Sequence, residues 1–119
     1  MAITIDMFAA EENPRSCGLG EIIFREYDMG YEMYVVLEGE VELKIGENVI
    51  ETLGVGEPCG EMALIDQSPR PATAVARTPC KIAVIPEKRF LFLVQCTPHF
   101  ALQIMKVMAD RLRKMNALV

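Results

Sequence analysis

The chain has 119 residues, with 12 basic and 17 acidic side chains and therefore a net charge of −5. An acidic chain is a poor electrostatic match for nucleic acid, so we expect no direct DNA binding. The length suits one domain with a hydrophobic core, and no apolar run approaches the roughly 20 residues of a membrane span. Because the N-terminus also lacks a signal-peptide pattern, we expect a cytoplasmic protein that does not engage a membrane.

The first part of the chain has the pattern of short strands separated by turns. Residues 3–10 are expected to form a short leading helix or a loose arm. Residues 41–45 give the clearest strand, because Val41, Leu43 and Ile45 alternate with charged residues at a period of two. Strands are predicted over residues 22–25, 33–37, 41–45, 49–53, 72–76 and 81–85. Short strands with frequent turns favour a jelly-roll-like β-barrel, also called a double-stranded β-helix.

The pattern becomes helical after Pro86. A helix is predicted over residues 87–95, and a second over residues 98–116, with Thr97 as its N-cap and Pro98 at its first position. We therefore predict a single domain over residues 1–119, mainly β with C-terminal α. The barrel is expected over about residues 18–86, followed by two helices over about residues 87–116.

Two apolar stripes run along the last predicted helix. One stripe can pack on the barrel, and the other then needs a further cover, for which we favour a second copy of the chain. The alternative is that both stripes fold onto the same barrel. The basic residues of this helix are expected to form a solvated face and not a nucleic-acid patch, and the alternative is that some of them reach a bound ligand. The first stripe is Leu102, Met105, Met108, Ala109, Leu112 and Met115, the second is Phe100, Ile104 and Val107, and the basic residues are Lys106, Arg111, Arg113 and Lys114.

Residues 60–76 carry the functional interpretation. They place one glutamate, Glu61, and one arginine, Arg70, in a run of otherwise mostly small and apolar residues. Burying such charges is costly unless polar groups meet them, and a ligand with an anionic group for Arg70 and hydroxyls for Glu61 is the simplest partner. Residues 61–65 can form one helical turn, whose first amides have no partner inside the helix and suit a phosphate.

This segment resembles the phosphate-binding cassette of cyclic nucleotide-binding domains. The resemblance lies in Gly60-Glu61-Met62-Ala63-Leu64, followed by Pro69-Arg70 and Ala72-Thr73. The upstream segments 20–24 and 33–42 are similar to the first strands of the same domain. Such domains occur in catabolite-activator-type regulators, kinase regulatory subunits and cyclic-nucleotide-gated channels.

The resemblance covers roughly residues 18–116 and implies a role for each cassette residue. Arg70 is expected to pair with the cyclic phosphate, and Glu61 to accept a hydrogen bond from the ribose 2′-hydroxyl. Backbone amides around Met62 and Ala63 are expected to complete the phosphate site. The ligand-binding residues predicted in this way are Gly60, Glu61, Met62, Ala63, Arg70, Pro71 and Ala72.

Two positions depart from the family pattern. Residue 71 usually gives the phosphate a further amide, but Pro71 has no amide hydrogen. Losing a hydrogen bond to a charged group costs about 1.5–3 kcal/mol, which weakens binding roughly tenfold to a hundredfold. Because a threonine there favours cyclic GMP in similar domains, Pro71 leans towards cyclic AMP. The second departure is Tyr27, where the family usually has a glycine before Asp28.

The function implied is a stand-alone cyclic nucleotide sensor, with cyclic AMP favoured over cyclic GMP. In transcription regulators of this superfamily a helix-turn-helix domain follows the last helix, and we expect none here. Output should then pass through the C-terminal helix to a homodimer or an unknown effector protein. We expect no enzymatic activity, no metal and no cofactor.

Two other interpretations stay open. Arg70 and Glu61 could pair with each other in a degenerate barrel of the same fold, which would act as a ligand-independent protein-interaction adaptor. A thiol-based redox sensor using Cys17 or Cys59 is a further alternative. For the four cysteines, which have no C-x-x-C spacing, the simplest expectation is free and mostly buried thiols in a reducing compartment.

Overall fold

The computed structural model describes residues 13–117, so the helix or arm predicted over residues 3–10 lies outside the described residues. Eight strands and three helices follow one another within this range. The strands are β1 (Arg15–Cys17), β2 (Ile22–Phe24), β3 (Glu32–Glu38), β4 (Val41–Ile45), β5 (Asn48–Leu53), β6 (Pro58–Cys59), β7 (Thr73–Ala76) and β8 (Cys80–Pro86). The helices are α1 (Met62–Ile65), α2 (Glu87–Cys96) and α3 (Pro98–Asn116).

The strands form two four-stranded antiparallel sheets, with the orders β1-β8-β3-β6 and β2-β7-β4-β5. Their arrangement confirms the predicted fold class, a mainly β jelly roll followed by C-terminal helices. The strand β1 was not predicted, and it begins at Arg15, ahead of the expected barrel start at residue 18.

Strand β3 has buried side chains on both of its faces, which explains its uninterrupted apolar run. Tyr34 and Val36 belong to the hydrophobic core shared by strands of both sheets. Met33 and Val35 point to the opposite face, where they pack in a second core with residues of β8, α2 and α3. The two C-terminal helices therefore cover the outer face of the first sheet.

Helix α3 buries one apolar stripe and leaves most of the other exposed. Phe100, Ile104 and Val107 are buried. Leu102, Met105 and Leu112, from the other stripe, are 45%, 62% and 54% exposed. The alternative in which both stripes fold onto the same barrel is therefore wrong, because one side of the helix faces the sheet and the opposite side cannot reach it.

The start of α3 follows the predicted pattern in part. Thr97 occupies the N-cap position and Pro98 the first turn, but the Thr97 side chain makes no capping hydrogen bond.

Within residues 13–117 no single helix is long and apolar enough to cross a membrane. Taken together, α2 and α3 have the length and composition of a span, but they are bent by 116° at their break. The packed core helices of other proteins share this length and composition.

Candidate functional site

One pocket brings together the whole set of site residues predicted from the sequence. It lies between α1, the segment that leads into β7, and the last turns of α3. Its free volume is about 20 Å³, which is enough for only one or two water molecules. The lining consists of the seven predicted residues, Gly60, Glu61, Met62, Ala63, Arg70, Pro71 and Ala72, together with Phe24, Leu43, Arg111 and Met115.

Helix α1 begins in the way that the cassette pattern predicts. Gly60 enters it with a φ of +80°, a left-handed conformation that favours glycine. The amides of Leu64 and Ile65 both donate to the Glu61 carbonyl, so the helical hydrogen bonds begin at Leu64. The amides of Met62 and Ala63 lie in the first turn, where helix geometry supplies no acceptor.

The Arg70 guanidinium is buried and held in place by protein groups. Nη1 donates to the Gly60 carbonyl at 2.9 Å, and Nη2 donates to the Glu32 carbonyl at 2.9 Å. The guanidinium carbon lies 4.3 Å from the centroid of the Phe24 ring, a cation–π contact. Gly30 leaves the space for this arrangement, because a Cβ there would lie 2.2 Å from the guanidinium carbon.

The guanidinium still has hydrogen-bonding capacity. Of its five N–H donors, two are engaged by the carbonyls described above. Nε is buried and has no hydrogen-bond partner among the described residues. An unpaired buried donor is costly, and the cost is higher when the group is charged. An anionic acceptor entering the pocket beside Arg70 would therefore be stabilised there.

Glu61 forms an ion pair with an arginine of α3. Its carboxylate is buried, and Arg111 Nη1 lies 2.7 Å from Oε1 and 2.9 Å from Oε2. The sequence-based alternative in which Glu61 pairs with Arg70 is wrong. The physical reason is that α3 brings a second guanidinium to Glu61, whereas Arg70 turns to backbone carbonyls and the Phe24 ring.

Arg111 joins three elements to α3. Besides Glu61, its guanidinium donates to Glu51 Oε1 of β5 at 3.1 Å and to the Pro58 carbonyl of β6. Lys114, which is partly exposed, lies 3.6 Å from the same Glu51 oxygen. Burial alone would lower the pKa of Arg111, but the carboxylates of Glu61 and Glu51 outweigh it and raise that pKa. Arg111 thus stays charged and fastens the end of α3 to the pocket.

The expectation that the basic residues of α3 form a solvated face is wrong for Arg111. Lys106, Arg113 and Lys114 are exposed, but Arg111 is only 3% exposed. The sequence contains a signal that identifies it. Arg111 follows Ile104 by seven residues and Val107 by four, so it continues the buried stripe of the helix.

The loop that contains Tyr27 supports the backbone of Arg70. The Tyr27 amide donates to the Arg70 carbonyl, and the Arg70 amide donates to the Asp28 carbonyl, both at 2.8 Å. Tyr27 has a φ of 70°, a conformation that suits glycine better than tyrosine. A glycine at this position would adopt the same conformation with less strain.

The sequence that contains the strands and the cassette matches a known family. A family model described as the cyclic nucleotide-binding domain matches residues 14–96. The chain belongs to the cyclic nucleotide-binding domain family. The resemblance seen in the cassette is thereby confirmed.

Three comparisons describe what the chain is similar to. It is 34% identical over 100 residues to the cyclic AMP receptor protein of Thermus thermophilus, covering 80% of this chain and 46% of that protein. It is 39% identical over 72 residues to the cAMP-dependent protein kinase regulatory subunit of Schizosaccharomyces pombe, covering 60% of this chain and 18% of that one. A solved cAMP-bound PfPKA-R structure superposes with a TM-score of 0.81 at 26% identity, covering 89% and 36% of the two chains. The chain spans less than half the length of the curated relatives it matches.

Proposed function

We propose that the pocket is a functional binding site for a cyclic nucleotide and that it prefers cyclic AMP to cyclic GMP. The observation that supports this most is the position of Arg70, a buried guanidinium with an unpartnered Nε, in one pocket with the first-turn amides of α1. Cyclic AMP appears in the names of both curated relatives, and the similar PfPKA-R structure is of a cAMP-bound protein. The proposal assigns the chain no reaction of its own.

The proposed binding mode uses groups that already line the pocket. The cyclic phosphate lies against Arg70 and the amides of Met62 and Ala63, where both the guanidinium and the start of the helical turn favour an anion. The ribose 2′-hydroxyl donates to Glu61. Pro71 offers no amide hydrogen, so we expect an affinity about tenfold to a hundredfold lower than with an amide donor there.

A ligand in this pocket needs more room than the present position of α3 leaves. Pockets that hold small molecules measure about 300–1,000 Å³, whereas the free volume here is about 20 Å³. Arg111 and Met115 are the two lining residues that α3 supplies, and the Arg111 guanidinium pairs with the Glu61 carboxylate. The first half of the helix is anchored in the core by Phe100 and Ile104. We therefore propose that the ligand displaces the last turns of α3, and that this movement is the output of the domain.

We further propose that the exposed stripe of α3 is covered by a second copy of the chain or by an effector protein. Leu102, Met105 and Leu112 lie exposed on that stripe. Met105→Lys places a charge at the centre of the stripe and should dissociate a homodimer, whereas it leaves the buried stripe unchanged. Light scattering after size-exclusion chromatography measures the mass. If the wild-type protein has the mass of a single chain, the effector protein is the cover that remains proposed.

The adaptor interpretation is the second candidate, and one observation favours it. Arg111 already pairs with the Glu61 carboxylate, and two N–H donors of Arg70 are bonded to backbone carbonyls. The free volume of the pocket is also small. A barrel closed in this way by Arg111 could present α3 to a partner without any ligand. This candidate predicts that no nucleotide changes the stability of the protein.

A thermal-shift titration with cyclic AMP, cyclic GMP and linear AMP separates the two candidates. At a hundredfold excess over Kd, a ligand specific for the folded state adds about 2.7 kcal/mol, or roughly 10 °C in Tm for a chain of this size. We expect such a rise with cyclic AMP, a smaller rise with cyclic GMP, and its loss in Arg70→Ala. Arg77→Ala is the matched control, since Arg77 is an exposed arginine of the neighbouring loop. No rise at millimolar cyclic nucleotide would favour the adaptor.

A further inference from the structure

Two cysteines lie opposite each other in the first sheet. Cys17 is the last residue of β1, Cys80 is the first residue of β8, and their Cα atoms are register partners in the antiparallel pair. Directly opposed residues point to the same face, with Cα atoms about 4.5–5.5 Å apart. That separation lies within the range of about 4.4–6.8 Å found in disulfides.

The pair lies at an end of the sheet that can open locally. Both thiols are free and buried, at 3% and 4% exposure. However, β1 has only three residues and is the edge strand of its sheet. The turn that follows it is exposed, with Leu19 at 73%. Short edge strands open at a lower free energy than the centre of a sheet, so transient separation of β1 gives a small oxidant access to the pair.

We propose that Cys17 and Cys80 form a reversible intrachain disulfide when the protein meets a peroxide. One thiolate attacks a peroxide oxygen, breaks the O–O bond and becomes a sulfenic acid, while the other oxygen leaves as water or an alcohol. The second thiol attacks the sulfenic sulfur, forms the S–S bond and expels water. Two thiols thereby lose two electrons and two protons, and the peroxide is reduced. This inference does not depend on nucleotide binding.

The other two cysteines lack such a partner. Cys59 lies opposite Tyr34 at the other edge of the sheet, and burial raises its pKa to about 12. Cys96 is exposed at the end of α2. Burial also raises the pKa of Cys17 and Cys80, so their oxidation should be slower than that of Cys96. The proposal therefore concerns a specific product, not the fastest thiol.

The test uses the full chain carrying Cys96→Ser, which removes the exposed thiol. The folded protein is treated with hydrogen peroxide, and the products are mapped by mass spectrometry after digestion without reductant. We expect a peptide that joins Cys17 to Cys80, lighter by two hydrogen atoms than its reduced parts. Because the bond closes a long loop, Tm should rise by roughly 8–16 °C and return after dithiothreitol.

Cys59→Ser in the same background is the matched control and should give the same linked peptide. Cys17→Ser should abolish it. The proposal is overturned if both thiols remain free after prolonged exposure, if they reach sulfinic acid without linking, or if the linked peptide contains Cys59.

Discussion

Replacing Arg111 with methionine should strongly destabilise the protein. Methionine keeps a long side chain but removes the charge that meets Glu61 and Glu51. Both carboxylate side chains are at most 7% exposed, so they would be left buried with only the more distant Lys114 near Glu51. Breaking a buried ion pair on one side costs about 3–5 kcal/mol. We expect Arg111→Met to lose this amount, out of roughly 5–15 kcal/mol of total stability.

Urea unfolding followed by circular dichroism measures this difference. Arg113→Met is the matched control, because it makes the same substitution two residues away at an exposed position of the same helix. The control should change the free energy of unfolding by less than about 0.5 kcal/mol. If Arg111→Met lowers the free energy of unfolding by less than about 1 kcal/mol, the ion pair does not fasten α3 to the pocket, which would contradict this account.

Two further predictions concern the residues around Arg70 and α1. Gly30→Ala should push the Arg70 guanidinium out of position, since the new Cβ would lie 2.2 Å from its carbon, and should weaken cyclic nucleotide binding at least tenfold by fluorescence titration. Gly18→Ala, which meets nothing within 4 Å, should not change the affinity. Hydrogen bonds from the Ser68 hydroxyl and amide lower the pKa of Asp66 below its usual 3.8. Ser68→Ala should raise that pKa towards 3.8 in an NMR titration, and an unchanged value would contradict the assignment. The stability linked to this shift is present above pH 3.8 and is lost as the pH falls through the lowered pKa. The variant should lose the share that the hydroxyl contributes, while the hydrogen bond from the residue 68 amide remains.

The sequence predicted the strands whose pattern is local. Strand β4 was predicted with its observed bounds, Val41–Ile45, because its alternation of apolar and charged residues is complete. Strand β3 was found from its apolar run, although a run alone cannot show that both faces are buried. Helix α3 was also predicted with its observed bounds, because Pro98 starts it and no glycine or proline interrupts it.

The strands that were missed depend on distant partners. Strands β1 and β6 have three and two residues, too few to show a period. They are strands because β1 pairs with β8 and β6 pairs with β3, contacts that no local pattern contains. The opposition of Cys17 and Cys80 was invisible for the same reason, since it depends on the register of β1 against β8.

The pocket lining was predicted from the cassette except for Phe24, Leu43 and the two residues from α3. Glu61 and Arg70 could be recognised because charges are unusual in a small and apolar run. Arg111 stands in a sequence of basic residues that resembles a solvent-exposed face, and its acidic partners lie 50 and 60 positions away. Its position on the buried stripe was a sufficient reason to expect burial, but only the fold identifies Glu61 and Glu51 as its partners.

Isothermal titration calorimetry of cyclic AMP tests the central claim most directly. The wild-type chain should bind with one site per chain. Arg70→Ala should bind at least about thirtyfold more weakly, because it loses charge-assisted hydrogen bonds to the phosphate worth about 2–5 kcal/mol. The Arg77→Ala control should bind like the wild type. Equal affinity in wild type and Arg70→Ala, or no heat of binding at millimolar cyclic AMP, would contradict the account.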